Sequence, residues 1–325
     1  IVATAPAWPI HSGAPHLVVP TKLQKGYHHH HHEGKLDDSD SESDDEDGEF
    51  DEDEVEAKHH KHGKKRKFNM LEKWGNLSPW YSIGRGGFGL DSGVEAPETC
   101  RVTGLHFLHR HGARYPTEWT RYGGPSKLAN KLHSTTQDWT GSGKLAFLND
   151  CRTTRSNPLQ VLTPFGRQQL FDLGVTMRIK YGYLLENFTK ANTIPVFRTE
   201  SQDRMLASAM NFALGFFGWP YDDQYQQSIT IEANGFNNTL SPYKTCPNAN
   251  INEKADRGVW YESRWADIYL ADARKRLAKD IKGFDLTTEN VFTMQQMCAY
   301  ETVAIGYSRF CELFTEEEWE GFNYA

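Results

Sequence analysis

The side chains with the most chemical potential lie in one short run, Arg110-His111-Gly112-Ala113-Arg114-Tyr115-Pro116. Two guanidiniums there flank a single imidazole. An arginine fork grips two phosphate oxygens at once, and a neutral imidazole nitrogen can attack phosphorus. The pattern points to capture of a phosphate group and its transfer to His111. Another arginine, Arg204, follows the polar turn Thr199-Glu200-Ser201-Gln202-Asp203 and opens a helical stretch. Backbone N–H groups at a helix start already favour an anion. Taken alone, Arg204 reads as an exposed arginine in a first helical turn, and Arg198 is its rival for an anion-binding role.

These residues need elements to place them. Val102 to Leu108 reads as a strand that delivers Arg110 and His111 to the carboxyl edge of a sheet, where ligands sit in open α/β folds. Thr163-Pro164 predicts a helix start, with threonine as N-cap and proline first in the helix. Leu170, Leu173, Met177 and Tyr181 then share an apolar face at helical spacing. Thr193 to Arg198 reads as a second, buried strand, followed by a helix from about Met205 to Phe217. Lys144 to Asp150 is a helical candidate, and helical patterns return at Tyr261 to Ile281 and from Thr287. Met294 and Met297 read as core filler. Thr315 and Glu318 form a capping box ahead of Trp319.

With 325 residues there is room for two domains, or for one large domain with an insertion. A hydrophobic content of 38% suits a globular protein, and the low mean hydropathy of -0.68 comes largely from the polar first quarter. Residues 1–67 read as a solvated low-complexity arm or pro-segment, with a histidine run (His28 to His32), an acidic block (Asp37 to Glu56) and a basic cluster (Lys58 to Lys67). The acidic block accounts for the formal net charge of -7, so that charge is no guide to partners. Lys64-Lys65-Arg66-Lys67 fits either a nuclear localisation signal or a dibasic cleavage site. No run approaches the roughly 18 apolar residues that a membrane span needs. Cys100, Cys151, Cys246, Cys298 and Cys311 lack metal-ligand spacing. With the sequons at Asn76, Asn187 and Asn237 they favour a secreted, oxidised protein, and with it the cleavage reading.

The run around His111 is similar to the Arg-His-Gly-x-Arg-x-Pro signature of the histidine acid phosphatases, the family that includes fungal phytases. The resemblance extends to the aromatic approach segment Trp74 to Tyr81 and to Leu206-Ala207-Ser208-Ala209 after Arg204, and covers roughly Phe68 to Ala325. It implies an α/β fold: a three-layer sandwich around a central mixed sheet, with a smaller, mostly α-helical domain. The catalytic part would be residues 68–119 and 160–235, and the helical cap residues 120–159 and 236–325. It implies hydrolysis of small-molecule phosphate monoesters, inositol phosphates among them, through a covalent phosphohistidine at His111. Arg110, Arg114 and Arg204 would clamp the phosphate oxygens, with no metal or other cofactor and no nucleic-acid or membrane partner. It further implies secretion, an acidic optimum and a Cys298–Cys311 bridge. The second ring nitrogen of His111 is expected to donate to a backbone carbonyl near Gly112. Lys127, Lys131 and Lys144 lie in the right neighbourhood to line a substrate rim.

The sequence departs from the family in one respect. Relatives complete the site with a downstream His-Asp or His-Ala-Glu pair, yet no histidine occurs beyond His133. His106 and His109 lie on the catalytic strand itself and cannot serve. The expectation is therefore an incomplete chain. It would lack the proton donor and a central strand, leave Cys100, Cys151 and Cys246 unpaired, and lose about 10²- to 10⁴-fold in rate. Two other readings stay open. One is a phosphoglycerate-mutase-like phosphotransferase, against which Pro116, the approach segment and the cysteines argue. The other is a non-catalytic phosphate-binding protein that keeps only the arginine clamp.

Overall fold

Helix starts in this chain are set by local chemistry. The computed structural model describes residues 68–83, 95–117, 122–134, 138–153 and 161–325, the side chains of 151–153 and 252 excepted. Expectations for residues 1–67 and for the Cys151 side chain lie outside them. Met70–Ala325 belong to one compact unit. Its principal helices are α1 (Pro125–Ser134), α2 (Pro164–Tyr181), α3 (Asp203–Phe217), α4 (Arg257–Tyr269), α5 (Ala271–Leu277), α6 (Thr288–Ile305) and α7 (Glu316–Tyr324). Thr163 caps α2 by accepting from the Gly166 N–H at 3.0 Å, with Pro164 first in the helix. Thr287 and Thr315 cap α6 and α7 through full capping boxes with Asn290 and Glu318. Each such cap is worth about 1 kcal/mol.

The chain is mixed α/β and rich in helix. Strands β1 (Thr140–Gly141) and β4 (Ile281–Lys282) pair antiparallel, and β2 (Val196–Glu200) pairs parallel with β3 (Gln226–Thr230). Two expectations need correction. Val102 to Leu108 has no regular secondary structure and takes no place in a ladder among the described residues. Leu105, Phe107 and Leu108 are 42%, 41% and 84% exposed, so an apolar, strand-like sequence lacks the neighbours that would make it a strand. The second strand begins at Val196 rather than Thr193 and is not buried as a whole, because Val196 and Arg198 face solvent. The Lys144 to Asp150 segment is helical, as the tighter 3₁₀ form over Gly143–Thr153.

Helices α2 and α3 form the main packing partnership beside the His111 segment. Leu170 and Leu173 meet Phe212 and Phe216, with Met177 and Phe197 packed against them. The two backbones touch, since a Cβ on Gly174 would lie 2.2 Å from the Phe212 carbonyl oxygen and one on Gly215 2.0 Å from that of Phe171. Elsewhere α6 is almost wholly buried, with Met294 at 0% exposure. It is tied to the Arg309–Leu313 turn by the Cys298–Cys311 disulfide. Trp74, also at 0% exposure, lies in the approach segment, which Lys73 ties to Glu320 on α7 at 2.8 Å.

Candidate active site

The run from Arg110 to Pro116 is stitched to the starts of α2 and α3. Ala113 N–H donates to Gln169 Oε1 at 2.9 Å, and Ala113 O accepts from the Thr163 N–H at 3.0 Å and the Thr163 hydroxyl at 3.1 Å. Arg114 bridges to Leu162, and Tyr115 N–H donates to Val161 O at 3.2 Å. Gly112 N–H donates to Ser208 Oγ at 3.2 Å, while that hydroxyl donates to Arg204 O at 2.7 Å. One serine thereby links the histidine segment to the turn that carries Arg204. Only glycine fits at position 112: a Cβ there would lie 2.1 Å from Gly166 O and 2.6 Å from Leu170 Cδ2.

His111 Nδ1 lies 2.7 Å from Gly112 O. A carbonyl oxygen only accepts, so Nδ1 carries the hydrogen and Nε2 keeps its lone pair. Burial first, then the charges of Arg110, Arg114 and Arg204, push the His111 pKa down to about 4, against the opposing effect of the Gly112 contact. The imidazole is therefore neutral, and able to act as a nucleophile, through most of the acid range.

The arginines crowd one another. Burial, and then the Arg114 charge, hold both Arg110 and Arg204 below the usual arginine range. Arg110 Nη1 donates to Asn76 O. Arg114 Nη1 donates to Tyr115 O at 2.9 Å, and its guanidinium lies 5.8 Å from the Tyr300 ring centre. Arg204 Nη1 donates to Gln202 Oε1, and its buried Nε has no acceptor. Among the described residues these cations hydrogen-bond to Asn76 O, Tyr115 O and Gln202 Oε1 and to no carboxylate. Such a cluster of like charges is stabilised by an incoming anion.

A cavity of about 240 Å³ opens here, lined by Asn76, His111, Arg114 and Tyr300 among others. A second, of about 1020 Å³, lies along Thr103 to Leu108 and reaches His111, Glu200 and Ser208. Arg198, the rival arginine, lines this second cavity from the exposed face of β2, and it is Arg204 whose charge acts on His111. His109 stacks on Phe212 with ring centres 5.0 Å apart, and its Nδ1 contacts Arg110 O at 2.9 Å. The candidate rim lysines line neither cavity. Lys127 meets Glu289 at 3.4 Å, Lys131 donates to Asp285 O and Asn290 Oδ1 at 2.7 and 2.8 Å, and Lys144 donates to Glu312 O at 3.2 Å. Cys298 and Cys311 are joined at 2.08 Å, Cys100 and Cys246 are free and exposed, and Asn76, Asn187 and Asn237 are exposed. Sequence reading missed Asn76, Gln169 and Tyr300 as contacts of this site, because each arrives from a distant segment with no local signal.

A half-buried, neutral histidine under the charges of three arginines is a pattern with counterparts among known proteins. Residues 101–325 match the model of the histidine phosphatase superfamily (branch 2), and the chain belongs to that superfamily. Phytase A of Emericella nidulans is 34% identical over 272 residues, 79% of this chain and 54% of that protein. The constitutive acid phosphatase of Saccharomyces cerevisiae is 32% identical over 268 residues, 77% and 53% of the two chains. The crystal structure of the phytase from D. castellii is similar at a TM-score of 0.59 and 25% identity, covering 79% of this chain and 56% of that one. The chain thus spans about half the length of the curated relatives it matches.

Proposed function

We propose that this chain carries the phosphoryl-accepting part of a phosphate monoester hydrolase of the acid phosphatase and phytase kind. The observation that carries the reading is His111 itself: Nδ1 tied to Gly112 O, Nε2 unprotonated, and the charges of Arg110, Arg114 and Arg204 acting on it. Nε2 attacks phosphorus, the P–O bond to the alcohol breaks, and a phosphohistidine forms. Water then attacks phosphorus and frees inorganic phosphate and the imidazole. The arginines neutralise the oxygens in both steps and hold them in line.

Departure of the alcohol is eased by a proton, and how much it needs one depends on the leaving group: an aryl phosphate, whose phenolate leaves readily, needs it least, and an inositol phosphate needs it most. The finer architecture belongs to the same proposal. In it the sheet is the centre of a three-layer sandwich, residues 68–119 and 160–235 form the catalytic part, and residues 120–159 and 236–325 form the cap. Exposed sequons and the Cys298–Cys311 disulfide support passage through the secretory pathway. The test is single-turnover hydrolysis of a nitrophenyl phosphate and of inositol hexakisphosphate by this chain and by His111→Ala. Hydrolysis of either ester should depend on the imidazole and be lost in His111→Ala. Equal rates with and without the imidazole would remove the reading.

A further inference from the structure

The fold gives the sequons different surroundings. Asn187 lines the large cavity along Thr103 to Leu108, whereas Asn76 stands at the phosphate site itself. Asn76-Leu77-Ser78 is an acceptor for an N-linked glycan in a chain that passes through the secretory pathway. Asn76 is exposed in the finished fold, so a glycan there displaces no core packing. It lines the cavity of about 240 Å³ that contains His111, and also a third cavity of about 460 Å³ that shares Arg110, Arg114 and Tyr300 with the first. An ester whose phosphate is held by Arg110 and Arg114 leaves its alcohol part projecting past the wall where Asn76 sits.

The turn that carries Asn76 is pinned. Leu77 N–H donates to Trp74 O at 3.0 Å, Ser78 N–H to Gly75 O at 3.1 Å, and Trp74 N–H to Ser78 Oγ at 3.0 Å. Gly75 backs onto α7, where its Cβ position lies 3.5 Å from Phe322 O. Asn76 O accepts from Arg110 Nη1, which ties the turn to the site cation. A glycan rooted here cannot swing away with its loop, and its hydrated branches sweep the mouth of the cavity. We propose that Asn76 carries an N-linked glycan, and that this glycan sets the size of phosphate ester the site admits. Inorganic phosphate and small esters pass beneath it, and a bulky ester such as an inositol polyphosphate is held off. This control deepens the phosphate-site reading and rests on it. A high-mannose glycan has no charge, so the field of the arginines is left as it is and the selection is by size alone.

The test uses the chain secreted from a eukaryotic host, with glycopeptide mass spectrometry to locate the modified asparagines. Calorimetry then measures binding of inorganic phosphate and of inositol hexakisphosphate, before and after an endoglycosidase trims each glycan to a single N-acetylglucosamine. Asn76 should be occupied, and phosphate should bind equally well to both forms. Inositol hexakisphosphate should bind about tenfold more weakly to the untrimmed form, the loss expected from confining a few flexible groups. The Asn187→Gln, Asn237→Gln double variant, altered at two exposed positions, keeps Asn76 as its remaining sequon and should show the same difference. A bare Asn76, equal hexakisphosphate affinity before and after trimming, or a difference that disappears in the double variant overturns the proposal, and phosphate binding then leaves the site standing. A chain that binds phosphate in neither form sinks the site reading and this one with it.

Discussion

His111 Nδ1 donates to Gly112 O at 2.7 Å, so the main chain next to the imidazole fixes which nitrogen faces outward. That bond also makes a pH prediction. With its pKa held near 4 by burial and the arginines, His111 stays neutral where an ordinary histidine is charged. Nitrogen NMR should show Nδ1 protonated and Nε2 bare from neutral pH to about 4. The native state then binds fewer protons than the unfolded chain between about 4 and the ordinary histidine value of 6.5. His111 therefore favours the fold at neutral pH, and that contribution is lost as pH falls through this window.

The arginines predict opposite effects on binding and on stability. Replacing Arg114 or Arg204 with alanine removes charge-assisted contacts to phosphate worth about 1.5–3 kcal/mol, or roughly 10- to 100-fold in affinity. It also relieves repulsion between guanidiniums, so the unliganded melting temperature should hold or rise. Phosphate titration and thermal melts of the same variants check both halves, and a large drop in melting temperature would mean a structural role.

Gly112→Ala should destabilise by about 1–3 kcal/mol through overpacking, because the new methyl meets the Gly166 carbonyl and Leu170. Gly258 in α4 is the control: nothing lies within 4 Å of its Cβ position. Gly258→Ala should be neutral or stabilise by up to about 1 kcal/mol. Denaturant midpoints distinguish the two.

The Cys298–Cys311 bridge closes a loop with a sequence separation of 13. Loss of a loop of that size costs about 3 kcal/mol, so the Cys298→Ser, Cys311→Ser double variant should melt well below the parent. An unchanged melting point would show that α6 and the Arg309–Leu313 turn hold together by packing alone.

How much was legible in the sequence follows from the range of the forces involved. Thr163-Pro164, Thr287 with Asn290, and Thr315 with Glu318 act over three residues, and the helix starts they define are where local chemistry puts them. The His111 run, a contiguous pattern, was equally readable. Val102 to Leu108 was not, since alternation of apolar residues signals a strand's preference and says nothing of its neighbours. Lys131 reads as a rim cation until Asp285 and Asn290 claim it.

The central claim is that the His111 imidazole accepts a phosphoryl group, and the direct measurement is mass spectrometry of protein quenched in alkali after mixing with an aryl phosphate. The account predicts one acid-labile phosphoryl group on His111, absent from His111→Asn. Phosphate on another residue, or ester hydrolysis that survives in His111→Asn, would contradict it.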